Sequence, residues 1–182
     1  MSKKILAVLI CTLLWPCLGW GETAAPTLQP ISQLDLQRYI GRWYEIAKFP
    51  NRFQRRCVAN TTAEYTANPD GTVEVLNSCE TGEGEMIRAS GLARRVGDTG
   101  SATLEVRFAP AWLSFIPAVW GDYWVIDLDE GYQLAAVSEP SRQYLWILSR
   151  TPTVSPEIYA ALLKRLEALG LNTAQLVSTP QH

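Results

Sequence analysis

Histidine is almost missing from this chain: its only copy is the last residue, His182. The one side chain that titrates near neutrality is thereby confined to a terminus, so His-dependent acid–base or metal chemistry is not expected. Gly-x-Ser-x-Gly, a phosphate loop and Cys-x-x-Cys are also lacking. The acids Asp98, Asp127, Asp129 and Glu130 are scattered through turns. No catalytic residue, metal or cofactor is therefore expected. Positive charge is not in excess either: 16 Lys and Arg stand against 18 acids. That balance argues against a nucleic-acid partner. No apolar run reaches the roughly 20 residues that a spanning helix needs.

What the chain does have begins with a leader. Lys3 and Lys4 precede an apolar run over 5–14, and small residues follow at Gly19, Gly21, Ala24 and Ala25. This is the pattern of a secretory signal peptide, assigned to residues 1–21. The mature chain is then exported to a periplasm-like or extracellular space, with a net charge near −4 once the two lysines are removed. Two of the four cysteines, Cys11 and Cys17, lie in or beside the leader. Cys57 and Cys79 remain, on either side of the turn Asn68-Pro69-Asp70-Gly71. In an oxidising compartment they are expected to bridge the two strands of that hairpin; the alternative is two free buried thiols.

Residues 22–33, with Pro26 and Pro30, read as an extended arm, and 34–182 as one domain. A short helical turn is expected over 34–39. Strands are expected near 43–48, 57–66, 71–79, 85–95, 102–109, 122–128, 132–138 and 143–150, separated by turn residues. The fold class is all-β: an eight-stranded antiparallel up-and-down barrel, a size that leaves room for one small ligand. A helix follows over 156–169. Ser155 is placed to cap it, Pro156 to start it and Gly170 to stop it, with Ile158, Leu162, Leu166 and Leu169 as the stripe that packs outside the barrel.

Three motifs carry a resemblance. Gly41-Arg42-Trp43-Tyr44 opens the first strand, Gly121-Asp122-Tyr123-Trp124-Val125-Ile126-Asp127-Leu128-Asp129 lies in the middle, and Tyr144-Leu145-Trp146-Ile147-Leu148-Ser149-Arg150 closes the last strand. Together they resemble the lipocalin family over roughly 34–176, and within it the bacterial outer-membrane lipoprotein branch whose animal relatives are the apolipoprotein D-like proteins. The resemblance implies a barrel plugged at one end by Gly41, Trp43 and Arg150, the guanidinium lying across the indole face. It also implies binding of amphipathic lipid, a fatty acid or lysophospholipid, in support of the cell envelope. Lipocalins that hold haem through a histidine are excluded by the histidine count. Many bacterial lipocalins are outer-membrane lipoproteins, which would make Cys17 a lipid anchor. Leu14 suits that signal, whereas Trp15 and Pro16 favour cleavage near Gly21 and a soluble periplasmic protein.

Strand parity then assigns faces. If Arg150 reaches Trp43, then Leu148, Trp146 and Tyr144 also point inward, and on the first strand so do Glu45 and Ala47. These five are the expected cavity residues, Glu45 with a partner the sequence does not name. The connections after strands one, three, five and seven fall at the open end. The fifth-to-sixth connection, 109–120, is far too apolar for an ordinary surface loop, with Trp112, Phe115 and Trp120 as its large members. The first loop sets Arg52, Arg55 and Arg56 beside Phe53. An apolar rim with a basic side suits an acyl chain carrying an anionic head. The other reading of the 109–120 loop is an interaction surface, docking a membrane, a partner or a second copy; monomer and homodimer both remain open.

Overall fold

The computed structural model describes residues 27–182. The leader, Cys17 and residues 22–26 of the arm lie outside the described residues. Strands β1 (Gly41–Lys48), β2 (Cys57–Ala67), β3 (Val73–Thr81), β4 (Met86–Arg95), β5 (Thr103–Arg107), β6 (Gly121–Leu128), β7 (Leu134–Ser138) and β8 (Leu145–Ser149) pair antiparallel in chain order. The order follows from alternation. In β2, Ala59, Thr61, Ala63 and Tyr65 are buried while Val58 faces out. β1 closes the barrel by pairing with β2 through its first half (Gly41↔Tyr65 to Tyr44↔Thr62) and with β8 through its second (Tyr44↔Ser149 to Lys48↔Trp146).

A ninth strand was not legible in the sequence. Above Tyr44, β2 is irregular and leaves β1, with Asn60 at φ 51°. The C-terminal tail fills the seam. β9 (Val177–Ser178) pairs with Ala47 and Lys48, Thr179 N–H donates to Ile46 O, and Asn60 N–H donates to Pro180 O. Gln181 ties both edges through one amide, donating to Glu45 O at 2.8 Å and Thr61 O at 3.0 Å. The single histidine ends this tail, its backbone N–H on Asn60 Oδ1.

Apolar side chains form two clusters, inside and outside the wall. The inner one joins Trp43, Tyr65, Val75, Ala93, Leu104, Val125, Val137 and Leu148. The outer one packs Ile126, Ala136, Leu145 and Ile147 under α2 (Pro156–Ala168), whose Leu162 and Leu166 are fully buried. Ser155 caps α2 through its hydroxyl, and Gly170 ends it at φ 81°. Arg165 pins the helix to β6 with two bonds to Asp127, at 2.7 and 2.8 Å. Ile158, expected in the packed stripe, is instead 56% exposed, so the contact begins one turn later. A four-residue helix, α1 (Leu36–Tyr39), caps the base, with the Asp35 carboxylate accepting from Gln37 and Arg38 N–H. The arm enters both layers: Leu28 joins the outer cluster, and Ile31 N–H donates to Val125 O.

Candidate functional site

The closed end is built around Trp43, which is wholly buried and donates its indole N–H to Tyr39 O at 2.8 Å. Arg150 lies across the ring, its guanidinium carbon 3.9 Å from the centroid. The same guanidinium donates to the carbonyls of Arg38, Tyr39, Ile40 and Arg42 at 2.8–3.0 Å. Four bonds therefore staple the chain entering β1 to the end of β8. Gly41 sits at φ 94°, and a Cβ there would meet the Arg150 guanidinium at 3.3 Å, so both its backbone and its space call for glycine.

Above the plug is a polar floor. Tyr39 packs on Trp43, Tyr65 stacks on Tyr39, and Tyr123 meets Tyr65 edge-on. Their hydroxyls form a chain, Tyr39 to Tyr123 at 2.8 Å and Tyr123 to Tyr65 at 3.0 Å. Burial raises all three phenol pKa values, that of Tyr65 to about 12. Inward-facing Val106, Tyr123 and Trp146 each keep part of their surface accessible.

Trp146 and Leu148 point into the lumen, and Tyr144, one residue before β8, stacks on Trp146 with ring centroids 5.7 Å apart. Ala47 does not join them. A bulge between Glu45 and Ala47 shifts the β1–β8 register, so that Ala47 opposes Ile147 and joins the outer cluster under α2. The same bulge brings Lys48 opposite Trp146 and turns it inward. Parity counted from Trp43 could not anticipate this, because it assumes an unbroken pleat.

Lys48 is the missing partner of Glu45. Its ammonium lies 2.8 Å from Glu45 Oε1, with the two side chains 12% and 3% exposed. Thr179 Oγ1, from the C-terminal tail, donates to the same oxygen at 2.6 Å. The other oxygen, Oε2, accepts from Gln54 Nε2 at 2.5 Å. Gln54 comes from the first mouth loop, and its own Oε1 accepts from Asn51 at 2.8 Å and from Trp146 Nε1 at 2.9 Å. The loop is thus latched down onto the lumen wall. Lys48 heads the basic first-loop run, but nothing in the sequence paired it with Glu45, and Gln54 and Thr179 carried no signal of their own.

The mouth is rimmed by exposed aromatics. Trp112, on a short 3-10 turn at Ala111–Leu113, is 72% exposed, and Phe115, between it and a second turn at Pro117–Val119, is 77% exposed. Phe53, also exposed, packs against Tyr144, with Arg52 over its outer side. Phe108 lies over Gly91, where any Cβ would come within 2.8 Å of the ring. Arg55 stands on the same loop, and Arg56 reaches Glu85 across the rim at 4.0 Å. Cys57 and Cys79 are joined by a disulfide just below. Trp120 departs from its expected place at the mouth opening. It precedes β6 on the outer side of the wall, held between Arg94 and Arg107 (4.1 and 5.3 Å) with its indole N–H on Ser114 O. It closes the loop against β4 and β5.

An antiparallel barrel sealed at one end by a tryptophan–arginine pair and flanked by one helix is the architecture of a lipocalin. The chain belongs to the lipocalin family: the model of the lipocalin-like domain matches residues 34–181. Temperature-induced lipocalin-1 of Arabidopsis thaliana is 42% identical over 161 residues, 87% of this chain and 86% of that protein. The outer membrane lipoprotein Blc of Vibrio cholerae is 36% identical over 181 residues, 98% and 99% of the two chains. Mouse apolipoprotein D is 30% identical over 88% of this chain and 83% of its own. Among solved structures, insecticyanin from the tobacco hornworm Manduca sexta superposes with a TM-score of 0.66 at 19% identity, covering 87% and 92% of the chains.

Proposed function

We propose that this chain binds and carries an amphipathic lipid, a fatty acid or lysophospholipid, in the cell envelope, and so supports membrane maintenance. One observation carries the reading: Trp146, facing into the barrel and only partly buried, lies within an exposed apolar rim, Trp112, Phe115 and Phe53, with Arg52, Arg55 and Arg56 beside it. The apolar tail enters first and lies along Trp146, and each methylene removed from water contributes about 0.8 kcal/mol. The anionic head stays at the rim within reach of the arginines, which present forked donors to carboxylate or phosphate. The similarity to outer membrane lipoproteins supports export to the envelope. Binding rather than catalysis is the activity proposed.

A second reading rests on the exposure of Trp112 and Phe115. Those rings are also a docking surface, for a membrane that donates the lipid or for a second copy facing mouth to mouth. Native mass spectrometry of protein purified from its host envelope tests both. A lipid-sized mass on the monomer supports carriage, a lipid-free dimer supports docking between copies, and a lipid-free monomer contradicts carriage and docking between copies.

A further inference from the structure

We propose that the three phenols at the lumen floor receive a neutral oxygen atom on the buried end of the ligand, so that the barrel favours acyl chains oxygenated at their far end. This deepens the lipid-carrying reading and rests on it. The basis is a count of protons. Each phenol owns one O–H hydrogen. The two hydrogen bonds, Tyr39 to Tyr123 and Tyr123 to Tyr65, engage two of the three hydrogens whichever way they run. One hydrogen is always left over. Among the described residues, no other side chain or carbonyl is hydrogen-bonded to these hydroxyls. A buried donor without an acceptor is unfavourable, and native structures seldom leave one so.

The site is held in place and aimed. Ring packing on Trp43 and within the trio fixes the hydroxyls, and Tyr123 faces the lumen opposite Leu104 while keeping some accessible surface. The raised phenol pKa values keep all three groups protonated, and therefore donors, at any physiological pH. A carboxylate is the wrong guest. It would be stripped of water for a single donor, and the Arg150 guanidinium below is already taken up by the Trp43 face and backbone carbonyls. A hydroxyl or carbonyl oxygen needs only the one bond on offer.

The trio packs on the Trp43 plug at the closed end while Trp146 bonds to the mouth loop, so chain length decides whether the tip arrives. The protein, freed of lipid, is titrated with saturated fatty acids of about 10 to 16 carbons and with their ω-hydroxy counterparts, binding being read by calorimetry. At the length that reaches the floor, the ω-hydroxy acid is expected to bind about three- to tenfold more tightly than its parent, a gain of order one net hydrogen bond. In the Tyr39→Phe/Tyr65→Phe/Tyr123→Phe variant the order should reverse, because the hydroxyl then meets no partner. Equal or weaker binding of every ω-hydroxy acid by the unaltered protein would overturn the inference, an ordered water being the acceptor instead, and that comparison stands even if the triple variant does not fold. If no acid of either series binds, the lipid-carrying reading fails with it.

Discussion

Gln54 and Trp146, 92 residues apart in sequence, share a hydrogen bond of 2.9 Å from the indole N–H to the amide oxygen. The indole that walls the lumen is therefore also the catch for the loop that covers it. Because Gln54 donates to Glu45 with its other end, one amide joins mouth loop, β1 and β8. Ligand entry and release should be coupled to this latch.

Gln54→Ala should release the loop. It leaves Glu45 Oε2 and the Trp146 indole each short of a partner, costing about 1–3 kcal/mol. Trypsin should then cut at Arg52, Arg55 or Arg56 faster than in the unaltered protein, and stopped-flow exchange of a bound fluorescent fatty acid should quicken. Unchanged cleavage and exchange would show that the loop is held by something else.

The Glu45–Lys48 pair is nearly dry, so removing one member strands the other. Lys48→Met should destabilise the fold by about 3–5 kcal/mol, whereas the double change Glu45→Gln/Lys48→Met should recover much of that loss. Urea denaturation of the four proteins of the cycle measures this coupling. Additive effects would mean that the two charges are solvated independently.

Trp43 and Arg150 should govern stability rather than affinity. Trp43→Ala removes a wholly buried ring at a cost of about 3–5 kcal/mol. Arg150→Ala loses the face contact and five carbonyl bonds, so its melting temperature should also fall clearly. Lipid affinity of the protein that remains folded should stay close to the original.

The tyrosine trio makes a pH prediction. A phenol is neutral when protonated, so a folded-state pKa raised above 10 means that the unfolded chain gives up its proton first. The stability this provides is complete below pH 10 and declines as pH rises toward the folded value, about 12 for Tyr65. Absorbance titration should show exposed tyrosines ionising near pH 10 and a second group ionising later, together with loss of near-ultraviolet circular dichroism. A single transition near 10 without unfolding would contradict the buried floor.

The plug was readable because a Gly-x-Trp opening the first strand and an Arg closing the last together resemble the lipocalin pattern. The hairpin disulfide followed from cysteines straddling a strong turn. Ala47 was assigned to the wrong face because one bulged residue inverts every side chain beyond it, and nothing in Glu45-Ile46-Ala47 announces a bulge. Trp120 looked like its neighbours Trp112 and Phe115, yet Arg94 and Arg107, from strands the loop sequence does not mention, draw it to the outer wall. The ninth strand escaped notice because two residues, Val177 and Ser178, are too short a run to show period-two alternation. The phenol floor combines Tyr39, Tyr65 and Tyr123 from three separate elements, and only the closed barrel brings their hydroxyls together.

The most direct test of the lipid-carrying account is a fluorescence titration of the lipid-free protein with a lysophospholipid, run in parallel on Trp146→Phe. The unaltered protein should show saturable change in tryptophan emission, with affinity rising with acyl length and weakening with added salt as the rim arginines are screened. Trp146→Phe should bind yet lose most of the emission change. A variant that responds like the unaltered protein would show that the ligand does not lie along Trp146, and no saturable change in either would contradict lipid binding in this lumen.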